Sequence, residues 1–597
     1  MGGLKVQRID STIITQFRFQ NLADLLALYT PLAFKNYGPG QLNTVSFRGT
    51  SPNHTALLWN GLNINSPLLG QSDFSTFPMA AFNQLAVQYG SAASAVGSDA
   101  VGGSILVGSS APSQGFVSMG RQQESFNNHQ TQAQGGFSTL VGSNARLSGN
   151  TNVYFGKQNN HFPYTQRRGY ALLPSETLQK GFVQDLFFVP KSGQELSAHI
   201  WLSDSKLTLM PLEIQGREMT RTEAYRTMLR YRIGDLQVRT SWVRDIIDYA
   251  KGDLANPDHS LSDKFANRIE KAFEWRLGKV ARLLAVNAGL EFTHFRAEVA
   301  GYEKPVVTEN RSDFFVMTRF QATNRALLSV NFRQALVKGY NPLFTPSFGA
   351  EYLVLQKNNY ALKWKGSVGR SYRVPTLNER FWAELGNPDI KPESGWNKEM
   401  TLDNQFALPD YSITATITGY HNRVKDWTYW NPSKNYRVEN LQQVLARGLE
   451  VQAGISERTG IWKKGLLAGY ALTKSAQEKA YDAYSADVIG KQLVFIPIHA
   501  ANMNAFVQYK KMKVTAQVQK VGKRFVTFDN SQFLSGYTLL NLIAETTFDY
   551  QKIRMTVRGQ ANNVTNTFYL NVRNNAMPGT SVMASIVISY LSLANSI

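Results

Sequence analysis

Residues 412–420 read SITATITGY, with Ile413, Ala415 and Ile417 alternating with Thr414, Thr416 and Thr418. A period of two gathers the apolar side chains on one face of an extended chain, because successive strand residues point to opposite sides. The same pattern runs through Ile553–Gln560, where Ile553, Met555 and Val557 are separated by Arg554, Thr556 and Arg558, and through Leu328–Arg333 and Val514–Gln519. Each such strand has one apolar and one polar face.

Two architectures use strands of this kind. A soluble sandwich turns its apolar faces inward to a shared core. A transmembrane barrel turns them outward to lipid, where every backbone group must find a partner within the sheet. The pattern persists over nearly the last 500 residues without a convincing helix, and aromatics gather at strand ends (Trp427, Tyr429 and Trp430; Phe568 and Tyr569). Both features favour the barrel, whose interfaces carry aromatic girdles. At about 20 to 25 residues per strand and its loop, this region supplies roughly 20 to 24 strands, near the 22-stranded class whose lumen is plugged.

The first part of the chain differs. Leu22, Leu25, Leu26 and Tyr29 fall at helical spacing and Pro31 marks the end of that helix; Thr55–Trp59 reads as a buried strand, Asn60-Gly61 as a tight turn and Gln84–Tyr89 as a further strand. The expectation is an all-β membrane protein: an antiparallel barrel of about 22 strands over 114–597, with a small α+β domain over 1–113 inside its lumen.

Composition narrows function. The absence of Cys excludes disulfides, thiolate zinc sites and cysteine nucleophiles, and the eight His show no HExxH spacing. The glycines of Gly90-Ser91-Ala92 and Val101-Gly102-Gly103 lack the following GKS or GKT of a phosphate loop, and no GxSxG elbow is present. An enzyme, and with it a catalytic residue or cofactor, is not expected. The net charge of +20 is spread along the chain rather than concentrated in one tract, which argues against nucleic acid and fits a solvated interior and contact with anionic lipid. No apolar run is long enough for a membrane helix, and Met1-Gly2-Gly3-Leu4-Lys5 reads as a late start, with any export signal expected upstream.

Six segments, in order, resemble the TonB-dependent outer-membrane receptors: VSFRGT at 45–50, YG at 89–90 with AVGSDAVGGSI at 95–105, SYRVPTLNERF at 371–381, GNPDIKPE at 386–393, RGLE at 447–450 and NNVTN at 562–566. The run from Gly38-Pro39-Gly40-Gln41-Leu42 to Phe77-Pro78 is most similar to the cobalamin-transporting branch, with siderophore receptors sharing the same plug motifs. The resemblance implies a receptor in the outer membrane of a Gram-negative bacterium. It implies uptake of a scarce nutrient, cobalamin or a related corrinoid in the first place and a ferric siderophore or other metal chelate as the alternative. It further implies energy from a TonB-ExbB-ExbD complex acting through a coupling segment expected ahead of Leu4.

Carried over residue by residue, the resemblance gives Leu42, Thr44, Ser51, Leu69 and Gly70 as ligand contacts on the plug's apical loops. It also gives barrel-wall carboxylates, Glu393 and Glu450, as partners for Arg48, since a buried unpaired charge would cost several kcal/mol. Ser203-Asp204-Ser205-Lys206 offers a single carboxylate where relatives can bind calcium, so no metal is expected. Two departures stand out. The chain ends after Tyr590 without a terminal aromatic, and its positive charge implies a cationic lumen or mouth that would favour an anionic chelate.

Overall fold

The computed structural model describes all residues except Met1, Ser143, 163–174, 191–192, 210–216, 278–281, 432–434, Arg458, 480–486, 574, 576 and 592–597. The tail beyond Leu591 therefore lies outside the described residues.

From Phe116–Glu124 to Ser581–Leu591, 22 antiparallel strands close into one barrel, the last pairing with the first through Met583 and Glu124. Closure leaves no strand edge unpaired in lipid. The alternation read from SITATITGY has the expected consequence: Ile417 is exposed on the outer face while Thr418 is buried in the lumen. One end of the barrel carries tight hairpins, as between Tyr509 and Met512 or Tyr550 and Ile553. The other end carries longer loops, such as that between Arg373 and Glu393, which contains the short helix Leu377–Phe381. Short turns mark the periplasmic side and long loops the extracellular side.

Three of the five aromatics that the sequence pointed to, Trp427, Tyr429 and Tyr569, pack against other rings rather than forming a girdle, while Phe568 is exposed. Left-handed backbone at Asp426 (φ 55°) breaks the alternation and turns Trp427 into the lumen, where its ring lies 4.3 Å from that of the plug residue His54. Tyr429 packs on Phe528 and Tyr569 on Tyr537. The exposed outer-face aromatics near the tight turns are instead Phe406, Tyr411, Trp462, Tyr509 and Tyr550.

The lumen holds a separate five-stranded sheet, ordered Val6–Arg8, Gln84–Tyr89, Gly103–Gly108, Thr55–Trp59, Leu62–Asn63. The helix Leu22–Tyr29 starts with a capping box between Asn21 and Asp24 and buries Leu22, Leu25, Leu26 and Tyr29, the four positions that its spacing singled out. The plug's core does not stop at the plug. Trp59, Phe77 and Phe82 meet Trp201 of the wall edge-on, so one apolar cluster spans both bodies. The last plug strand ends at Gly108 and the first barrel strand begins at Phe116.

Candidate functional site

After the strand Asn43–Ser46 the backbone enters the left-handed region at two successive residues, Arg48 (φ 50°) and Gly49 (φ 75°). That turn presents the Arg48 side chain to the barrel wall. Its Nη1 donates to Glu399 Oε2 at 2.6 Å, and its Nε and Nη2 donate to the two Glu450 oxygens at 2.9 and 3.2 Å. Lys5, at the start of the plug, donates from Nζ to Glu450 Oε2 at 3.1 Å. The guanidinium also stacks over Tyr420 at 4.7 Å. All four charged side chains are buried. Two cations thus meet two carboxylates, and the cluster is balanced, as burial of charge demands. Burial alone would push the Arg48 guanidinium down, but Glu450 and Glu399 outweigh it and hold it above its ordinary value. Burial, the larger influence on Lys5, holds that ammonium below its ordinary value while Glu450 pulls it back up.

Glu393 does not reach Arg48. Its carboxylate pairs with His54 of the plug and with Arg373 of its own wall, and Arg373 is in turn held by Glu379 at 2.9 Å. The difference follows from strand geometry: 393 and 399 share the inward face of Glu393–Ala407, but 399 lies about 20 Å further along the strand, level with the Arg48 turn. Glu399 stands outside every motif segment quoted above, and its inward parity with Glu393 is the sequence signal that marks it. Further wall contacts fall on plug backbone and hydroxyls: Ser475 Oγ donates to Gly49 O at 2.7 Å, Lys264 Nζ to Asn63 O at 2.7 Å, and the Ser94 and Ser347 hydroxyls are 2.9 Å apart.

The five plug residues named as ligand contacts are spread over three loops or strands. Leu69 is exposed at the tip of its loop, while Gly70 behind it is buried, with its N–H donated to Ser66 O at 2.8 Å. Leu42 and Ser51 are half-buried, and Ser51 Oγ lies 3.1 Å from His54 Nδ1. Thr44 is buried in the hairpin that pairs it with Lys35.

A cavity of about 310 Å³ lies between the plug and the wall, reaching from the apical run Gly38–Gln41 to the barrel loop at Met577 and Pro578. Side-chain amides dominate its polar lining, among them Gln41, Asn43, Gln158, Gln179, Asn502 and Asn541. Asp24 and Glu124 contribute acidic groups, and burial pushes the Asp24 carboxyl up to about 6. The lumen is not uniformly cationic: Arg333 pairs with Glu291 at 3.0 Å, Arg268 with Glu270 at 3.0 Å and Arg226 with Asp245 at 3.3 Å. Arg524, also buried, instead donates to Asn571 Oδ1 and to the carbonyls of Ser535 and Leu570.

A lipid-facing barrel stoppered by a folded domain, with balanced ion pairs joining the two, is a gated outer-membrane transporter rather than an enzyme. The chain belongs to the TonB-dependent receptor family. Residues 122–574 match the family described as "TonB dependent receptor-like, beta-barrel", and 3–104 match the "TonB-dependent Receptor Plug Domain". Membership implies coupling to TonB and uptake of a small ligand.

The chain is 23% identical over 577 residues to a "Vitamin B12 transporter BtuB" of Photobacterium profundum, covering 93% of this chain and 88% of that protein. It is 22% identical over 536 residues to the protein of that name from Vibrio vulnificus, covering 85% and 79%. Among solved structures, the siderophore receptor PirA from Acinetobacter baumannii superposes with a TM-score of 0.77 at 15% identity over 98% of each chain. The ferric enterobactin receptor PfeA of Pseudomonas aeruginosa, as a mutant, superposes with a TM-score of 0.76 at 13% identity, again over 98% of each chain. At such identities the structural likeness is one of fold.

Proposed function

We propose that this receptor imports cobalamin or a related corrinoid. The observation that carries the reading is the amide lining of the cavity between plug and wall. A corrinoid is fringed with carboxamide arms that both donate and accept hydrogen bonds, and Asn and Gln match that chemistry group for group. A ferric siderophore carrying negative charge calls instead for clustered Arg or Lys. Arg333, Arg268 and Arg226 are each already paired with a carboxylate. The full-length likeness to vitamin B12 transporters supports the same choice.

At about 310 Å³ the cavity is at the small end for a ligand site, so the ligand sits first among the apical loops, against Leu42, Thr44, Ser51, Leu69 and Gly70. Passage follows when the plug moves. In this reading residues 1–113 are the moving part, and Arg48 with Glu450 and Glu399, together with His54 on Glu393, latch them to the wall. Lys5 shares Glu450 with Arg48, so a pull delivered at the chain's beginning by a TonB-ExbB-ExbD complex reaches the latch directly.

Titration of the purified receptor with cyanocobalamin, cobinamide, ferric siderophores and haem tests the ligand. Submicromolar binding of a corrinoid is expected. Submicromolar binding of a ferric chelate with none of either corrinoid would overturn the reading.

A further inference from the structure

Across four adjacent strands, Lys398, His421, Arg447 and Lys474 are direct partners in register, Lys398 opposite His421, His421 opposite Arg447 and Arg447 opposite Lys474. Their neighbours along the strands, Asn397, Glu399, Asn422, Ala446, Thr473 and Ser475, are buried in the lumen, so all four basic side chains stand on the outer face. Among the described residues none of the four has a carboxylate within ion-pair distance or a side-chain hydrogen bond. The acid nearest in the sheet, Glu478, is taken by Arg423 at 2.8 Å and by Gln443. Like charges placed directly opposite one another, as Arg447 and Lys474 are, destabilise a sheet. With Lys398 two strands away on the same tier, the row favours an external anion.

Position identifies that anion. On the periplasmic side of the row the outer face becomes apolar for two tiers, first Met400, Gly419, Leu449 and Leu472, then Leu402, Ile417, Val451 and Tyr470, before Asn404, whose side-chain amide donates to Ala415 O and accepts from Tyr360 Oη. Trp396, exposed, stands one tier above the row, and Phe406, also exposed, closes the band near the tight turn. From Trp396 to Phe406, at about 3.3 Å per residue and a tilt of about 40°, the face covers about 25 Å, the height of a lipid-facing band. The row lies one tier, about 5 Å, inside the outer edge of that band, within side-chain reach of the head groups of the outer leaflet. A cation there costs little, whereas at mid-membrane each would cost about 2 to 4 kcal/mol. Three of the four, His421, Arg447 and Lys474, also line a recess of about 710 Å³, whose inner side is formed by Tyr420, under the Arg48 guanidinium, and by buried Gln492.

We propose that this row is a binding site for phosphate-bearing head groups of outer-leaflet lipid. Arg447 offers a planar fork to phosphate oxygens and the two lysines offer point charges. The site accounts for part of the net charge of +20 that the lumen does not use. It is independent of which nutrient is carried.

The test is co-purification of lipid with the full receptor reconstituted in vesicles of phosphatidylcholine doped with bisphosphorylated lipid A, compared with the dephosphorylated lipid and with inorganic phosphate added free. Arg447→Gln is expected to lower retention of the phosphorylated lipid roughly fivefold, and Lys398→Gln/Arg447→Gln/Lys474→Gln on the order of 100-fold, with retention falling as salt rises. Lys463→Gln/Lys464→Gln/Lys510→Gln, which removes equal charge near the tight turns, should leave retention unchanged. Equal retention by the triple variant, equal retention of the dephosphorylated lipid, or displacement by millimolar inorganic phosphate alone would each overturn the proposal. If the triple variant fails to form a barrel, judged by heat-modifiable migration, Arg447→Gln and the salt series on the unaltered receptor decide.

Discussion

Arg48 makes three hydrogen bonds to two wall carboxylates, the centre of the proposed latch. Arg48→Ala leaves Glu399 and Glu450 facing only Lys5, and breaking a buried pair in this way costs about 3 to 5 kcal/mol. Hydrogen exchange should then show faster exchange in Asn43–Ser46 and Gln84–Tyr89 with the barrel strands unaffected. Arg48→Ala/Glu399→Gln, which restores charge balance, should recover part of the loss. Equal exchange in Arg48→Ala and the unaltered receptor would remove the latch.

Asp24 makes a second residue-scale prediction. Its carboxyl is raised from the usual 3.8 to about 6, because burial disfavours the charge more than the Asn21 N–H supports it. A folded pKa above the unfolded one means that the native plug binds the proton more tightly. The cost of the charge is therefore absent below about pH 4, grows between about pH 4 and 6, and is complete above, on the order of 3 kcal/mol. Asp24→Asn can keep the cap through its amide oxygen and should raise plug stability at pH 8 while leaving it unchanged at pH 4. Thermal melts at the two pH values check this, and an equal effect at both would contradict it.

At the scale of elements, period-two patterning was enough for the barrel. Alternating Ile and Thr over 412–420 fixes which face meets lipid, and a lipid-facing sheet has to close. The plug helix was legible for a similar reason, since Leu22, Leu25, Leu26 and Tyr29 share one face. Trp427 was not: a single left-handed residue, Asp426, reverses the side from which it projects, and no periodicity records that. Glu399 was missed and Glu393 assigned to the wrong plug residue because parity fixes the face of a strand but not its height against the plug.

The Arg48-Gly49 turn is where local backbone and latch depend on each other. Gly49 has φ 75°, and a Cβ there would lie 2.8 Å from side-chain carbons of Ser475 and Thr473. Gly49→Val must move the turn off the wall, costing about 1 to 3 kcal/mol in backbone strain alone. It should accelerate exchange over the same segments as Arg48→Ala. A Gly49→Val receptor with unaltered exchange would show that the turn does not position Arg48.

For the whole molecule the question is whether transport requires the plug to leave the wall. The Cys-free chain allows a clean test, because Ser94 of the plug and Ser347 of the wall have hydroxyls 2.9 Å apart. Oxidised Ser94→Cys/Ser347→Cys should bind ligand with unchanged affinity yet transport nothing until reduced. Transport by the cross-linked form would place the path around a stationary plug.

The net charge of +20 was legible in the composition, but its placement was not, since composition carries no address. Arg333, Arg268 and Arg226 meet carboxylates, while unpaired basic groups stand on the outer face.

The central claim, energised import of a corrinoid, is tested most directly by uptake of radiolabelled cyanocobalamin into cells expressing this receptor in place of their own, with and without TonB. Accumulation that depends on TonB is predicted, with loss in the oxidised Ser94→Cys/Ser347→Cys variant. Absence of cobalamin uptake alongside TonB-dependent accumulation of a ferric chelate would contradict the account.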